Sequence, residues 1–339
     1  MRINNSIIGC NDLEIGYSHK KKRKVVCSNL DFQLKSGELT CLIGPNGSGK
    51  STLLRTLAGI QKPLRGEVNV NGEGLGRLKR NQKAQAISIL LSSQIYTSNM
   101  TVFDLVATGR IPYTNWFGNH SKSDFSKINW ALGQVGIEAF TDRPMDSLSD
   151  GEFQKSLIAK SLAQDTPFVL LDEPTAHLDI ASRIEILQNL RKIVRRWHKA
   201  IVFSSHDLEL ALRISDKVWL MDGKGTMAVG APEELVLEGE INRVFSKEEL
   251  HFDPGSGSFK LWFPEAQKIG FQASGAVGFW TKIALERNGF DPVENESLSS
   301  IKVFIDKDSN QWHCRSPKKE KKFESVAELV EYLNEISKV

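Results

Sequence analysis

The segment GPNGSGKST at 44–52 restricts the possible folds more than any other stretch of this chain. Gly44, Gly49, Lys50 and Ser51 stand in the G-x-x-x-x-G-K-S/T spacing of a phosphate-binding loop, which functions only when a buried strand leads into it and a helix leaves it. Both flanks are present. Leu39–Ile43 (LTCLI) reads as a short buried strand and 51–58 (STLLRTLA) as a helix start. Between them lies the loop Gly44, Pro45, Asn46, Gly47, Ser48 and Gly49, whose glycines would let the backbone turn its N–H groups inward as an anion nest at a helix N-terminus. Lys50 offers a cation to the outer phosphates of a nucleoside triphosphate, the Ser51 hydroxyl can ligate Mg²⁺, and Thr52 follows on the first turn.

Farther along, polar residues fall at the ends of two apolar runs. The run at 167–173 (PFVLLDE) ends in two acids, as expected of a buried parallel strand whose carboxyl end faces a phosphate pocket. Asp172 could hold Mg²⁺ directly or through water, and Glu173 could polarise an attacking water as general base. The run at 200–205 (AIVFSS) delivers His206 to another strand tip, within reach of a γ-phosphate. A separate stretch, 148–160 (LSDGEFQKSLIAK), places Ser149 and Glu152 in the S-x-x-E spacing of a capping box ahead of the apolar face Phe153, Leu157, Ile158. Such a helix start also exposes free N–H groups that suit a second phosphate contact.

Taken in order, these motifs resemble those of an ATP-binding cassette ATPase, over roughly residues 8–240. GPNGSGKS is the phosphate loop, Gln94 in LLSSQ is similar to the family's Q-loop glutamine, LSDGE at 148–152 resembles its signature, and LLDEPTAHLD at 170–179 combines the acidic strand end with the D-loop. His206 in SSHD resembles the switch histidine, and Tyr17 the aromatic residue that stacks on adenine. The resemblance implies an α/β fold, a RecA-like parallel sheet with an antiparallel β subdomain and a helical subdomain at about 95–165, binding ATP and Mg²⁺. It also implies that two cassettes meet head to tail. Because one chain holds one set of motifs, a homodimer or a pairing with a related cassette would complete two interfacial ATP sites. Ser149 and Gly151 would then act on the partner's γ-phosphate, Asp179 would couple the sites, and Gln94 would touch Mg²⁺ or the lytic water. The signature departs from the common LSGGQ at Asp150 and Glu152; the second is explained by capping, whereas the first puts its trans contact in question.

The stretch MTVFDLVATGRIPYTNWF at 100–117 resembles the corresponding part of cassettes that energise iron-siderophore, haem and cobalamin importers, where it receives the coupling helix of a transmembrane permease. From the residues alone it is an amphipathic helix with Val102, Leu105 and Val106 on one face and Pro112 ending it. Three function classes follow: an importer's ATPase subunit, a soluble cassette acting on translation or DNA, and an exporter subunit. The importer reading places the chain at the cytoplasmic face of a membrane, bound to a permease and served indirectly by a substrate-binding protein.

Composition agrees without deciding. The net charge of +3 gives no general reason to expect nucleic acid. No run approaches the roughly 18 apolar residues of a membrane span, and MRINNSIIGC lacks a charged-then-apolar leader pattern, so a soluble cytosolic chain is expected. Cys10, Cys27, Cys41 and Cys314 have no metal-ligand spacing and are expected as buried thiols. The basic run HKKKRK at 19–24 reads as a solvated hairpin or loop, with anionic lipid as its sharper alternative.

A length of 339 residues leaves room beyond a cassette at 1–240. HFDPGSGS falls in an expected linker at 241–257, and 258–339 is expected to form a small α+β domain that regulates the ATPase or aids dimerisation. Within it IGFQASGAVGFW reads as a strand entering packing glycines, with an anion site at a helix N-terminus as the sharper alternative although the full G-x-G-x-x-G pattern is missing, and PKKEKKFE at 317–324 reads as a solvated loop.

Overall fold

A computed structural model of the chain describes residues 6–20, 22–91, 100–114, 118–248, 250–261, 266–294, 299–306, 311–317 and 319–337. The chain divides into two compact units, Met1–Val244 and Phe245–Val339.

In the first unit, β1 (Ser6–His19) and β2 (Lys22–Lys35) form a long antiparallel hairpin, which reaches the central strand β3 (Leu39–Ile43) and helix α1 (Lys50–Leu57). Strands β4 (Arg65–Val70) and β5 (Glu73–Gly74) complete an antiparallel sheet in the order β2-β1-β4-β5. Helix α2 (Arg80–Ala86) leads into β6 (Ile87–Leu90). A helical subdomain follows, with α3 (Val102–Ala107), a 3₁₀ turn at Thr108–Tyr113, α4 (Lys122–Val135) and α5 (Asp150–Ala163). The chain then alternates through β7 (Phe168–Leu171), α6 (Ile180–Trp197), β8 (Ala200–Ser204), α7 (Leu208–Ile214), β9 (Lys217–Met221), β10 (Met227–Gly230), α8 (Pro232–Leu237) and α9 (Glu240–Phe245). The resulting sheet has the order β10-β9-β3-β8-β7-β6, parallel except at the β10 edge. Every residue of β3, β7 and β8 is buried. That explains why these strands read as unbroken apolar runs, since helices cover both faces of such a sheet.

The helical subdomain is fastened by one buried cation. Arg110 Nε donates to Asp124 Oδ1 at 2.8 Å, its Nη1 donates to the Ala163 carbonyl at 2.8 Å, and the guanidinium lies 3.9 Å from the centre of the Tyr113 ring. Asp124 also accepts from the Ser121 hydroxyl and backbone in a capping box at the start of α4. Pro112 lies inside the 3₁₀ turn, where the expected amphipathic helix has already ended at Ala107.

The second unit begins with the hairpin β11 (Leu250–Asp253) and β12 (Ser258–Leu261); β11 and the turn after it fall in the stretch expected to be a linker, and β12 in the expected domain. Two local causes build it: the Asp253 carboxylate accepts from the Gly255 N–H and the Ser256 hydroxyl in the turn, and the buried Phe252 packs edge-on against Phe259. A five-stranded sheet follows in the order β14-β13-β15-β16-β17, built from β13 (Gln267–Gln272), β14 (Phe290–Val293), β15 (Lys302–Ile305), β16 (Trp312–Ser316) and β17 (Lys319–Phe323). Helices α10 (Gly275–Arg287) and α11 (Val326–Ser337) contribute Leu285, Leu329 and Leu333 to a core with Ile269, Phe271, Val303, Cys314 and Phe323. The lysine-rich stretch expected as a loop is therefore the edge strand β17. Lys319, Lys321 and Lys322 stay exposed while the backbone pairs with β16, which is how sheets commonly protect an edge.

All four cysteines are buried, and burial pushes the thiol of Cys10 up to about 12 and those of Cys27 and Cys314 up to about 11. No helix among the described residues is long and apolar enough to cross a membrane.

Candidate functional site

The phosphate loop turns at the carboxyl end of β3, in the middle of the parallel sheet, where open α/β sheets place their ligands. Two glycines are required there by close approach. A Cβ on Gly44 would lie 2.4 Å from the Met221 carbonyl, and one on Gly49, whose φ is 108°, would lie 2.2 Å from Val26 Cγ1. Lys50 is 6% exposed and donates to the Gly44 carbonyl at 2.8 Å and the Pro45 carbonyl at 3.3 Å, so its ammonium is held across the loop. Burial lowers its pKa, opposed by the charges of Glu173 and Asp172. Both carboxylates are thus close enough to act on this amine.

A cavity of about 510 Å³ opens over the loop. Asn46, Gly47, Ser48, Gly49, Lys50, Ser51 and Thr52 line one side; Tyr17, Lys24, Val25, Val26, Glu173, His206 and Gly223 line the rest. Tyr17 is 47% exposed, and its hydroxyl lies 2.8 Å from Thr52 Oγ1.

Asp172 and Glu173 follow the last residue of β7, and Ser204 at the end of β8 joins them. The Ser204 hydroxyl donates to Asp172 Oδ1 and accepts from the Glu173 N–H, each at 2.8 Å. Glu173 has a φ of 53°, a left-handed conformation that costs a non-glycine residue energy and is kept where the surroundings fix it. Its Oε1 lies 2.6 Å from His206 Nε2. Asp172, 1% exposed, faces a second cavity of about 380 Å³ that Glu173 also lines, together with Leu91, Asp150, Gln154 and His177.

The sequence motifs thus separate into two groups within one chain. The loop residues, Tyr17, Glu173 and His206 come together around the first cavity. Ser149, Gly151 and Asp179 do not line it. Ser149 caps α5, where it accepts from the Glu152 N–H while Glu152 accepts from the Ser149 N–H at 2.9 Å. Asp179 caps α6 and accepts from the Ser182 N–H at 2.8 Å and hydroxyl at 2.9 Å, hydrogen bonds that hold its carboxyl below the usual range. A Cβ on Gly151 would lie 3.6 Å from Ser182 Oγ, so the signature faces the start of α6. Asp150 and Glu152 both lie in the first turn of α5, where the helix dipole favours negative charge. Gln94 lies outside the described residues.

Two contributors were not evident from motif spacing. Ser204 reads as an ordinary strand residue, and only the pairing of β7 with β8 reveals its place beside the two acids. Lys24 was part of a charge run; its position opposite Tyr17 in the β1–β2 register is the signal that could have found it.

An ABC transporter family model matches residues 27–176. The achromobactin transport ATP-binding protein of Dickeya dadantii is 41% identical over 69% of this chain and 86% of its own length. This chain is an ABC transporter ATP-binding protein. Other relatives of the cassette include the ferric enterobactin transport ATP-binding protein of Escherichia coli, 37% identical over 69% of this chain and 84% of the relative. The iron(3+)-hydroxamate import ATP-binding protein of Bacillus subtilis is 35% identical over 71% and 89%. Among solved structures, a metal-chelate type ABC transporter in an inward-facing conformation superposes with a TM-score of 0.62 at 26% identity, covering 71% of this chain and 89% of that one. The second unit of the cassette protein matches an iron ABC transporter C-terminal domain over residues 266–334. The RecA-like cassette fold and the ABC-type ATPase class expected from the motifs are therefore those of this chain.

Proposed function

We propose that this ATPase energises uptake of an iron chelate, working as one of two cassettes beneath a membrane permease at the cytoplasmic face of the cell membrane. The observation that carries the reading is the convergence of the phosphate loop, Glu173 and His206 on one cavity. Relatives named for achromobactin and ferric enterobactin transport, with the iron-transporter domain at 266–334, favour an iron chelate over haem or cobalamin.

In this account Tyr17 stacks on adenine, residues 44–52 cradle the phosphates, and Lys50 turns from its loop carbonyls to the outer phosphates. Ser51 and Asp172 offer hydroxyl and carboxylate oxygens, the hard donors that Mg²⁺ prefers. Mg²⁺ takes few protein ligands and keeps waters and phosphate oxygens, which fits a site where no three His, Cys, Asp or Glu cluster among the described residues. Bound there, the ion would neutralise charge on the phosphates, and Gln94 would bind it or the attacking water. Glu173 polarises the attacking water, and His206 moves from Glu173 to the γ-phosphate when nucleotide enters. Ser149 and Gly151 complete the site of the opposite cassette, and Asp179 couples the pair. None of the three lines this chain's own phosphate-loop cavity, which supports that division of labour.

The test is steady-state ATP hydrolysis and binding by the full chain with two substitutions. Glu173→Gln should keep ATP affinity while turnover falls by at least about a hundredfold, because the binding groups remain and the base is lost. Lys50→Ala should lose affinity instead. Normal turnover in either variant would overturn the assigned roles.

A further inference from the structure

We infer that Lys24 is a nucleotide-binding residue that pairs with the phosphate nearest the nucleoside, so that this one lysine of β2 belongs to the ATP site. The inference rests on the first cavity being the nucleotide site.

Residues directly opposite one another in an antiparallel pair project to the same face. Lys24 is the register partner of Tyr17, and both line the cavity over the phosphate loop. The Tyr17 hydroxyl touches Thr52 Oγ1 on the first turn of α1, so this side of the cavity lies at the end of the loop away from the Lys50 amine. The supply of positive charge at that end is otherwise poor. Among the described lining residues the cationic side chains are Lys24 and Lys50; His206 is bonded to Glu173. Arg23, the neighbour in the run, is committed to Glu14 at 2.9 Å and to the Leu64 carbonyl at 3.0 Å. Lys24, in contrast, is exposed and makes no ion pair or side-chain hydrogen bond among the described residues. A long flexible ammonium with no protein partner, at the mouth of a site for a polyanion, gains its partner when the ligand arrives.

The experiment is calorimetric titration of the full chain with ATP, ADP and adenosine, comparing Lys24→Ala, Lys24→Arg, Lys20→Ala and Lys50→Ala with the parent. Lys24→Ala should raise the Kd for ATP and ADP about three- to tenfold, the range between an exposed ion pair and a charge-assisted hydrogen bond, and leave adenosine unaffected. The loss should shrink as ionic strength rises from roughly 0.1 M to roughly 1 M. Lys24→Arg and the exposed Lys20→Ala should stay within about twofold of the parent, since arginine keeps the charge and Lys20 lies at the hairpin tip outside the cavity. Unchanged ATP affinity in Lys24→Ala would overturn the inference, as would an equal loss for adenosine or an equal loss in Lys20→Ala, which would mean a base contact or a diffuse field. Lys50→Ala separates the two claims: if it binds ATP normally, the cavity reading itself fails; if it alone loses affinity, only the role of Lys24 does.

Discussion

Replacing Ser204 with alanine removes one oxygen that serves both acids of the site. In the parent chain its hydroxyl donates to Asp172 Oδ1 and accepts from the Glu173 N–H, and the side chain is fully buried. Alanine leaves that N–H without its 2.8 Å acceptor and deprives the buried Asp172 of a donor. A typical hydrogen bond contributes about 1 kcal/mol and a buried group left unsatisfied costs about 1–3 kcal/mol, so the cassette should lose about 2–4 kcal/mol. For a unit the size of Met1–Val244 that is a fall in Tm of about 5–10 °C. The second consequence is catalytic. Glu173 is held in a left-handed conformation, and the N–H bond to Ser204 is one of the restraints that keep it there. Its release should move the carboxylate and lower kcat about ten- to a hundredfold, the loss expected from misplacing a reacting group by about 1 Å. Differential scanning fluorimetry and phosphate release at saturating ATP measure the two effects. A Tm within about 1 °C of the parent together with kcat within about twofold would refute the reasoning, because neither the hydrogen-bond cost nor the positioning role would then exist.

Two further outcomes concern the helical subdomain. In the helical subdomain, burial alone would raise the Asp124 carboxyl, but hydrogen bonds from Ser121 and the Arg110 guanidinium outweigh it and bring the pKa from 3.8 to about 2. A depressed carboxylate stabilises the fold above its unfolded pKa. This contribution, about 2 kcal/mol, should therefore be lost as pH falls from about 4 towards about 2, and Asp124→Asn should remove that part of the acid dependence in circular dichroism titrations. At the signature, Asp150→Gly should change turnover by less than about tenfold, since the carboxylate sits in the first turn of α5 where the dipole tolerates it; a complete loss of phosphate release would show a specific role.

Much of the cassette is written locally. The strand Leu39–Ile43, the helix after the phosphate loop, the runs that become β7 and β8, and the capping box at Ser149 are all visible because burial on both sheet faces leaves a continuous apolar signature and a cap has a fixed spacing. What depends on pairing between distant segments is not visible. Ser204 acquires its role only when β8 lies beside β7, and Lys24 only when β2 folds back on β1. The misjudged pieces of the second unit have the same origin. Residues 250–257 carry turn residues and look like a linker, yet Asp253 and the aromatic pair Phe252 and Phe259 make them the first strand and turn of a hairpin. The lysines of 319–322 look solvated, and they are, but their backbone is the edge of a sheet. The trans roles proposed for Ser149, Gly151 and Asp179 rest on family resemblance, because a single chain cannot display a site that two would share.

Iron-chelate import is tested by ATP-dependent uptake of a labelled iron chelate into proteoliposomes that contain this chain and its cognate permease. Uptake with the parent chain, stimulation of phosphate release by the permease, and loss of both with Glu173→Gln are expected. Phosphate release that no permease alters, with no chelate entering the vesicles, would contradict it.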